Sequence, residues 1–215
     1  MAVLIMARAP QPGTVKTRLQ PLLGPDGCAR LQAGLLRRTV LLAECVAPLD
    51  TYLALDHPGP AAAAVSGNVT VLGQRGRTLG DRMWHAVEDV LDQHPGPVVV
   101  IGTDTPTLSP AHLRAAASVL ETGHDAVFGP ALDGGYYLLG LRRSAPALFA
   151  INDQLWGGPS VLEASLTAAR TAGLRTALLE PLRDLDTPQD ARAFLDEAGL
   201  PADIAALLDL TALSS

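Results

Sequence analysis

The chain has 215 residues, a formal net charge of −6 and 48% hydrophobic residues. This length suits one domain, residues 1–215, and the apolar fraction is enough to bury a sizeable core. The acidic balance excludes general electrostatic attraction to nucleic acid or to an anionic membrane, although a local cationic loop can still bind a small phosphate compound.

Apolar runs of strand length alternate with segments of helical periodicity along the chain. The strands are predicted at residues 3–7, 51–55, 98–101, 126–128, 136–141 and 176–179, with a weaker one at 69–72. Helices are predicted around residues 31–42 and 83–90, from Ser109-Pro110 through Leu120, and at 160–172 and 187–198. The alternation predicts a three-layer α/β/α sandwich with a mostly parallel sheet. Because residues 125–141 hold two strands with no helix between them, an antiparallel pair makes the sheet mixed.

Three further features qualify this pattern. The first apolar run is short and is quickly followed by Arg8 and Pro10, unlike a signal peptide, and no apolar stretch reaches membrane-spanning length. A cytoplasmic location is therefore expected. Cys28 and Cys45 lie too far apart on one predicted helix to bridge, so both are expected to be reduced core residues, and no zinc site is proposed. The alanine run at 61–64 predicts a helical turn beside a loop.

A cationic loop follows the first predicted strand. Its sequence, residues 8–19, is RAPQPGTVKTRL, in which turn residues precede Lys16 and Arg18. Main-chain N–H groups near Ala7, Arg8 and Gly13 and the two side-chain charges can surround one anion, and phosphate is the natural guest. The loop is a poor match to a nucleotide-hydrolase P-loop, because Val15 stands where glycine should precede the lysine. An exposed basic turn that binds nothing is the alternative.

Two separated acidic motifs carry candidate metal ligands. Asp104 follows the buried strand predicted at 98–101, and Asp186 precedes Thr187-Pro188, which is typical of a helix N-cap followed by proline. Two carboxylates on loops can hold a hard divalent cation that bridges phosphate oxygens, which points to a nucleotide diphosphate or triphosphate. Ordinary Asp-rich turns are the competing interpretation.

An acceptor site is predicted at residues 132–137, LDGGYY. Gly134 and Gly135 leave room for a compound to approach the backbone, and Tyr136 offers a ring for stacking. Asp133 is the candidate general base for an acceptor hydroxyl. Trp156 precedes a predicted helix and either lines the same pocket or packs in the core. A hairpin turn with Asp133 as a local cap is the alternative.

Five ordered motifs resemble one bacterial family. They are PGTVKTRL at 12–19, LGDRM at 79–83, GTDTP at 102–106, GPALDGGYY at 129–137 and DLDTP at 184–188. The chain resembles the glycosyltransferase-A-like DUF2064 family, also known as radical-SAM/selenodomain-associated transferase 1. It is also similar to the molybdenum-cofactor and phospholactate guanylyltransferases. The resemblance implies the nucleotide-diphospho-sugar transferase fold (GT-A), a nucleotide, and Mg²⁺ or Mn²⁺.

By the same resemblance, Gln74 reads the polar edge of the base and Gly80 permits its close approach. An amide can donate and accept hydrogen bonds at once, which suits a base edge. The alternative for residues 73–81 is a surface loop capped by Thr78.

These interpretations lead to a metal-dependent transferase with a nucleotide-activated donor and a small-molecule acceptor. Lys16 and Arg18 are expected to neutralise charge on the leaving group while the acceptor attacks from the Asp133 side. Glycosyl transfer from a nucleotide-sugar is narrowly favoured, although Gly102 stands in place of the first aspartate of the Asp-x-Asp motif common in glycosyltransferases of this fold. Nucleotidyl transfer with release of pyrophosphate is the close alternative, and a nucleotide-binding protein without catalysis is the third.

Overall fold

Within the described residues the sheet has seven strands, and both predicted acidic motifs follow the carboxyl ends of parallel strands. The computed structural model describes residues 1–59, 67–196 and 199–208, so the alanine run at 61–64 lies outside the described residues. The strands are β1 Ala2–Ala7, β2 Thr51–Leu55, β3 Thr70–Gly73, β4 Val98–Ile101, β5 Ala126–Pro130, β6 Tyr136–Leu141 and β7 Thr176–Leu178.

The strand order is β3-β2-β1-β4-β6-β5-β7. Strand β6 pairs antiparallel with both β4 and β5, whereas the other neighbouring strands pair in parallel. The predicted mixed sheet and the antiparallel pair are therefore confirmed. Since β6 runs backwards, its first residue, Tyr136, lies at the same edge as the last residues of the parallel strands.

Six helices are found within the described residues. They are α1 Gln20–Val46, α2 Leu79–Leu91, α3 Pro110–Glu121, α4 Val161–Thr171, α5 Pro188–Asp196 and α6 Ala202–Leu207. Helix α1 is much longer than its apolar periodicity predicted, and it kinks at Gly24, whose φ is 64° and which precedes Pro25. None of the described helices has the length and the apolar character needed to cross a bilayer.

Helices cover both faces of the sheet. On one face, Ile5 packs with Leu36 of α1 and Leu113 of α3. On the other face, Leu4 packs with Val87 of α2 and Ala169 of α4. Neighbouring residues of one strand point to opposite faces, so β1 serves both cores. The three-layer α/β/α architecture is confirmed.

A third apolar cluster joins the loop after β1 to the second acidic motif. It brings Leu19 together with Leu31 and Leu35 of α1, with Phe194 of α5 and with Leu185, which precedes α5. This packing fixes the cationic loop beside residues 184–188.

The two cysteines differ in their surroundings. Cys28 is buried in this third cluster, whereas Cys45 is exposed in the last turn of α1. The prediction that Cys45 is a core residue was wrong, because Cys45 lies on the solvent side of that turn. Both thiols are free.

Candidate active-site cleft

A cleft of about 500 Å³ opens at the carboxyl edge of the sheet. Most of the predicted site residues line it: Ala7, Arg8, Lys16, Arg18, Gln74, Asp104, Asp133, Gly135, Tyr136, Trp156 and Asp186. Gly13, Gly80 and Gly134 are not among its lining residues.

Lys16 connects the two predicted metal ligands. Its Nζ donates to Asp104 Oδ1, to Asp186 Oδ1 at 2.8 Å and to the Leu185 carbonyl oxygen at 2.9 Å. An ammonium group has three hydrogens, so these three acceptors use all of them. The Lys16 side chain is 4% exposed, whereas those of Asp104 and Asp186 are 45% and 36% exposed. The carboxylates therefore face the cleft while the lysine lies beneath them.

The ion-pair partners of Lys16 stabilise its positive charge. Burial alone lowers the pKa of Lys16, but the ion pairs with Asp104 and Asp186 outweigh it and raise that pKa above the ordinary value. Lys16 itself has a left-handed backbone conformation, with φ of 48°, at the start of a 3₁₀ turn, Thr17–Leu19. The Cys28 thiol donates to the Lys16 carbonyl oxygen at 3.3 Å.

This arrangement differs from the expectation that the Lys16 side chain faces a phosphate. The two carboxylates converge on one point, and their mutual repulsion is relieved by the lysine between them. Arg18, in contrast, is exposed at the rim of the cleft.

Asp184 is a cleft residue that the sequence motifs contained but did not single out. It accepts a hydrogen bond from Thr105 Oγ1. Burial raises the pKa of Asp184 to about 7, the Thr105 hydrogen bond opposes this shift, and repulsion from Asp104, Asp186 and Asp133 adds to it. Its proximity to Asp186 in the sequence was the available signal, whereas its burial depends on the distant Thr105.

Asp184→Asn is expected to stabilise the metal-free protein at neutral pH. The folded-state pKa of Asp184 lies above its unfolded value. The free energy of unfolding is therefore highest, as far as Asp184 is concerned, below about pH 4, and it decreases as the pH rises to about 7. The variant cannot ionise and still accepts from Thr105, so its advantage should grow over that window to roughly 2–4 kcal/mol. Urea denaturation of both proteins at pH 4.5 and pH 7.5 in EDTA measures it. Equal differences at the two pH values would contradict the raised pKa, and Asp89→Asn, at a surface ion pair with Arg75, serves as control.

Asp133 is fixed at the cleft by its own turn. Its Oδ1 accepts from the Gly135 backbone N–H at 2.8 Å. Gly134 has φ of 92°, and a Cβ at this position would collide with the Pro159 carbonyl oxygen. Gly134 therefore allows the turn to approach the segment before α4, and the interpretation that it leaves room for a ligand is corrected. The segment does form the turn between the antiparallel strands β5 and β6, as the hairpin alternative expected, while the assignment of Asp133 to an acceptor stays a prediction.

Aromatic side chains form part of the cleft wall. Tyr136 packs edge-on against Phe128, with ring centroids 5.4 Å apart. The Trp156 Nε1 is buried and has no hydrogen-bond partner among the described residues. A Cβ on Gly80 would lie 2.9 Å from Trp156 Nε1 and would collide with the Phe149 carbonyl oxygen. Gly80 thus permits close packing of protein groups, which corrects the interpretation that it makes room for a base.

The segment before α2 is held by a capping box. Thr78 accepts from the Asp81 backbone N–H at 3.1 Å, and Asp81 Oδ2 accepts from Thr78 N at 3.1 Å. The capped-loop interpretation is confirmed, while Gln74 lies at the cleft, where its Nε2 donates to the carbonyl oxygens of Ala7 and Ala54 at 3.0 and 2.9 Å.

The protein supplies only part of the ligand set that a hard divalent cation needs. Among the residues that the structure describes, no group of three or more His, Cys, Asp or Glu side chains is arranged to hold a metal ion. Asp104 and Asp186 nevertheless direct one carboxylate oxygen each at a single positive charge, that of Lys16. Two carboxylates with further oxygen ligands from phosphate and water are the usual shell of Mg²⁺ at a nucleotide.

Comparison with known proteins identifies the family. Residues 39–157 match the model of a family described as uncharacterized protein conserved in bacteria, DUF2064. The chain belongs to the DUF2064 family. No sequence among curated proteins matches this DUF2064 chain.

Solved structures share the fold of this DUF2064 protein. A protein of Desulfovibrio desulfuricans G20, assigned as a nucleotide-diphospho-sugar transferase, has 28% identity and a TM-score of 0.86, covering 99% of this chain and 97% of its own. CMP:2-keto-3-deoxy-manno-octonic acid synthetase, solved with CTP, has 14% identity, a TM-score of 0.53 and coverage of 91% and 98%. Rv0371c of Mycobacterium tuberculosis H37Rv, solved with manganese, has 18% identity, a TM-score of 0.50 and coverage of 92% and 99%. The expected nucleotide-diphospho-sugar transferase fold is confirmed, and the similarity to the Desulfovibrio protein supports the assignment of the chain as a transferase.

Proposed function

We propose that residues 1–215 form one transferase domain that moves a sugar from a nucleotide-sugar to a small acceptor with Mg²⁺ or Mn²⁺. One observation carries the proposal: Asp104 and Asp186 converge in a cleft that also holds Arg18 and, within the same cavity, the carboxylate of Asp133. The similarity to the Desulfovibrio protein supports the class of donor. Because such donors are found inside cells, we also keep the cytoplasmic location as a prediction.

The cationic side of the cleft is suited to bind the diphosphate of the donor. A divalent cation bound by Asp104 and Asp186 would supply a Lewis acid for the phosphate oxygens. Lys16 would then leave these carboxylates and turn its ammonium group toward the phosphates. Arg18 adds a second charge, and both cations stabilise the leaving nucleoside diphosphate.

Asp133 has the role of general base in this proposal. The acceptor hydroxyl oxygen attacks the anomeric carbon, and its proton passes to the Asp133 carboxylate. The bond between the anomeric carbon and the phosphate oxygen breaks, and the nucleoside diphosphate leaves with that electron pair. The hydrogen bond from Gly135 N to Oδ1 limits rotation of the carboxyl group, so Oδ2 is the atom available to the acceptor.

Nucleotidyl transfer is the second candidate, and two observations favour it. Gly102 stands where an Asp-x-Asp motif would have its first carboxylate. In addition, Arg8, Arg18 and Arg82 line the cleft and pair with no carboxylate among the described residues. Three such cations suit a triphosphate, whose attack at the α-phosphorus would release pyrophosphate.

The products separate these candidates. The purified protein is incubated with nucleotide-sugars or nucleoside triphosphates, with Mn²⁺ or with EDTA, and with a set of small acceptors. Release of nucleoside diphosphate from nucleotide-sugars supports glycosyl transfer, and release of pyrophosphate from triphosphates supports nucleotidyl transfer. Asp133→Asn should bind the donor normally and lose the rate. Metal-dependent binding without either product would instead support a non-catalytic nucleotide-binding protein.

A further inference from the structure

Four polar side chains form a wall between the cleft and an adjoining cavity of about 520 Å³. Arg8, Asp56, Gln74 and Arg82 line both cavities. They come from the ends of β1, β2 and β3 and from the first turn of α2. If the proposed function holds, the base of the nucleotide donor needs such a polar surface, and the hydrogens available on this wall restrict which base it can bind.

Gln74 can only accept hydrogen bonds from a ligand. Both hydrogens of its amide nitrogen are used by the carbonyl oxygens of Ala7 and Ala54, at 3.0 and 2.9 Å. These two carbonyls also fix the orientation of the amide, because the amide oxygen cannot accept from them. Oε1 therefore remains as an acceptor, and the expectation that Gln74 both donates and accepts at the base is corrected.

Asp56 presents a second acceptor next to the first. Its Oδ1 accepts from the backbone N–H groups of Ala9 and His57, each at 2.8 Å. Its own backbone N–H donates to the Ala7 carbonyl oxygen at 3.3 Å, the same oxygen that binds Gln74 Nε2. The Ala7 carbonyl oxygen thus places the Asp56 backbone beside the Gln74 side-chain amide. No described residue donates to Asp56 Oδ2, and the side chain is 22% exposed.

Arg82 adds a donor without a protein partner. Its Nε is buried and makes no hydrogen bond within the described residues. The guanidinium group always carries its charge and has five N–H donors, and Arg82 lines both cavities, so it can offer a donor to a ligand there.

We propose that this wall selects guanine, with Gln74 Oε1 accepting from N1–H, Asp56 Oδ2 accepting from the 2-amino group and Arg82 donating to O6. Guanine has two adjacent donor positions beside an acceptor on its Watson–Crick edge. Adenine, cytosine and uracil each have one donor position there, so one wall oxygen would face a second acceptor. Such an unpaired or repulsive contact is what makes polar sites selective.

The first test compares nucleotides on the unaltered protein. Isothermal titration with Mn²⁺ measures GDP, IDP, ADP, CDP and UDP. GDP is expected to bind at least tenfold more tightly than IDP, which lacks only the 2-amino group, and than the other three. Equal affinity for GDP and IDP, or preference for another base, would overturn guanine selection while leaving the proposed function intact. Binding of none of the five would instead contradict the proposed function.

Asp56→Asn gives the sharper second test. The two backbone N–H groups keep the oxygen of the asparagine at the Oδ1 position, so its amide nitrogen replaces Oδ2 and becomes a donor toward the base. Xanthine carries an oxygen where guanine carries the 2-amino group. The variant is therefore expected to prefer XDP to GDP, the reverse of the wild type, by at least tenfold in the ratio of the two affinities. Asp89→Asn should keep the wild-type ratio, and an unchanged ratio in Asp56→Asn would refute the assignment of Asp56. Thermal unfolding confirms that both variants are folded, and the comparison of GDP with IDP stands without either of them.

Discussion

Lys16→Met is expected to destabilise the metal-free protein by roughly 2–3 kcal/mol, and Mn²⁺ is expected to recover much of that loss. The substitution leaves the carboxylates of Asp104 and Asp186 facing each other, with Asp184 nearby and no cation between them. Breaking a fully buried pair costs more, but these two carboxylates are partly exposed to solvent, which screens their repulsion. Urea denaturation in EDTA and in Mn²⁺ gives both numbers. Arg75→Met, which breaks the surface pair with Asp89, should cost less than about 1 kcal/mol and show no response to metal.

The same variant tests whether Lys16 competes with a metal ion. With the internal cation removed, the affinity for Mn²⁺ in the absence of nucleotide should rise at least tenfold in a calorimetric titration. The native protein offers a second measurement, because Lys16 is the only lysine of the chain. Labelling of amines followed by mass spectrometry of the Lys16 peptide should show slow modification in EDTA and faster modification with Mn²⁺ and nucleotide. Metal affinity that falls in Lys16→Met, together with labelling that ignores metal, would refute the competition.

The positions of Asp104 and Asp186 were predictable because each depends on local signals. A buried strand before Asp104, and a helix cap with proline after Asp186, identify loop carboxylates at the edge of the sheet. The role of Lys16 was not predictable in this way. Its partners lie 88 and 170 residues away in the sequence, and their convergence depends on the strand order and on the packing of Leu19 against Leu185.

The glycines show a second limit of interpretation from the sequence. Gly80 and Gly134 were assigned to ligand contacts because a missing side chain leaves space. In the folded chain that space is filled by Trp156 and Phe149 around Gly80 and by Pro159 around Gly134. A sequence indicates that a backbone must be approached closely, but the approaching group is known only once distant segments are in place. For the same reason, the sequence could not show that Ala7 and Ala54 use both amide hydrogens of Gln74.

Asp104→Asn is expected to reduce metal-dependent nucleotide affinity by about 100-fold while leaving the fold intact. Lys16 keeps two acceptors in this variant, Asp186 Oδ1 and the Leu185 carbonyl oxygen, so the stability loss should stay small. The missing negative charge weakens the metal site, and without metal the variant and the wild type should bind the nucleotide equally. Calorimetry with Mn²⁺ and with EDTA measures this difference.

Three matched aspartate variants then distinguish the roles of the carboxylates. Asp186→Asn should reproduce the loss of metal-dependent affinity seen in Asp104→Asn, since the two share one cation in the structure. Asp133→Asn should retain that affinity and lose turnover, because its carboxylate is assigned to the acceptor. Unchanged metal dependence in Asp104→Asn and Asp186→Asn would mean that Lys16 permanently takes the place of a metal ion. The carboxylate pair would then serve to hold a buried lysine, and transfer in this cleft would depend on the arginines alone for charge stabilisation.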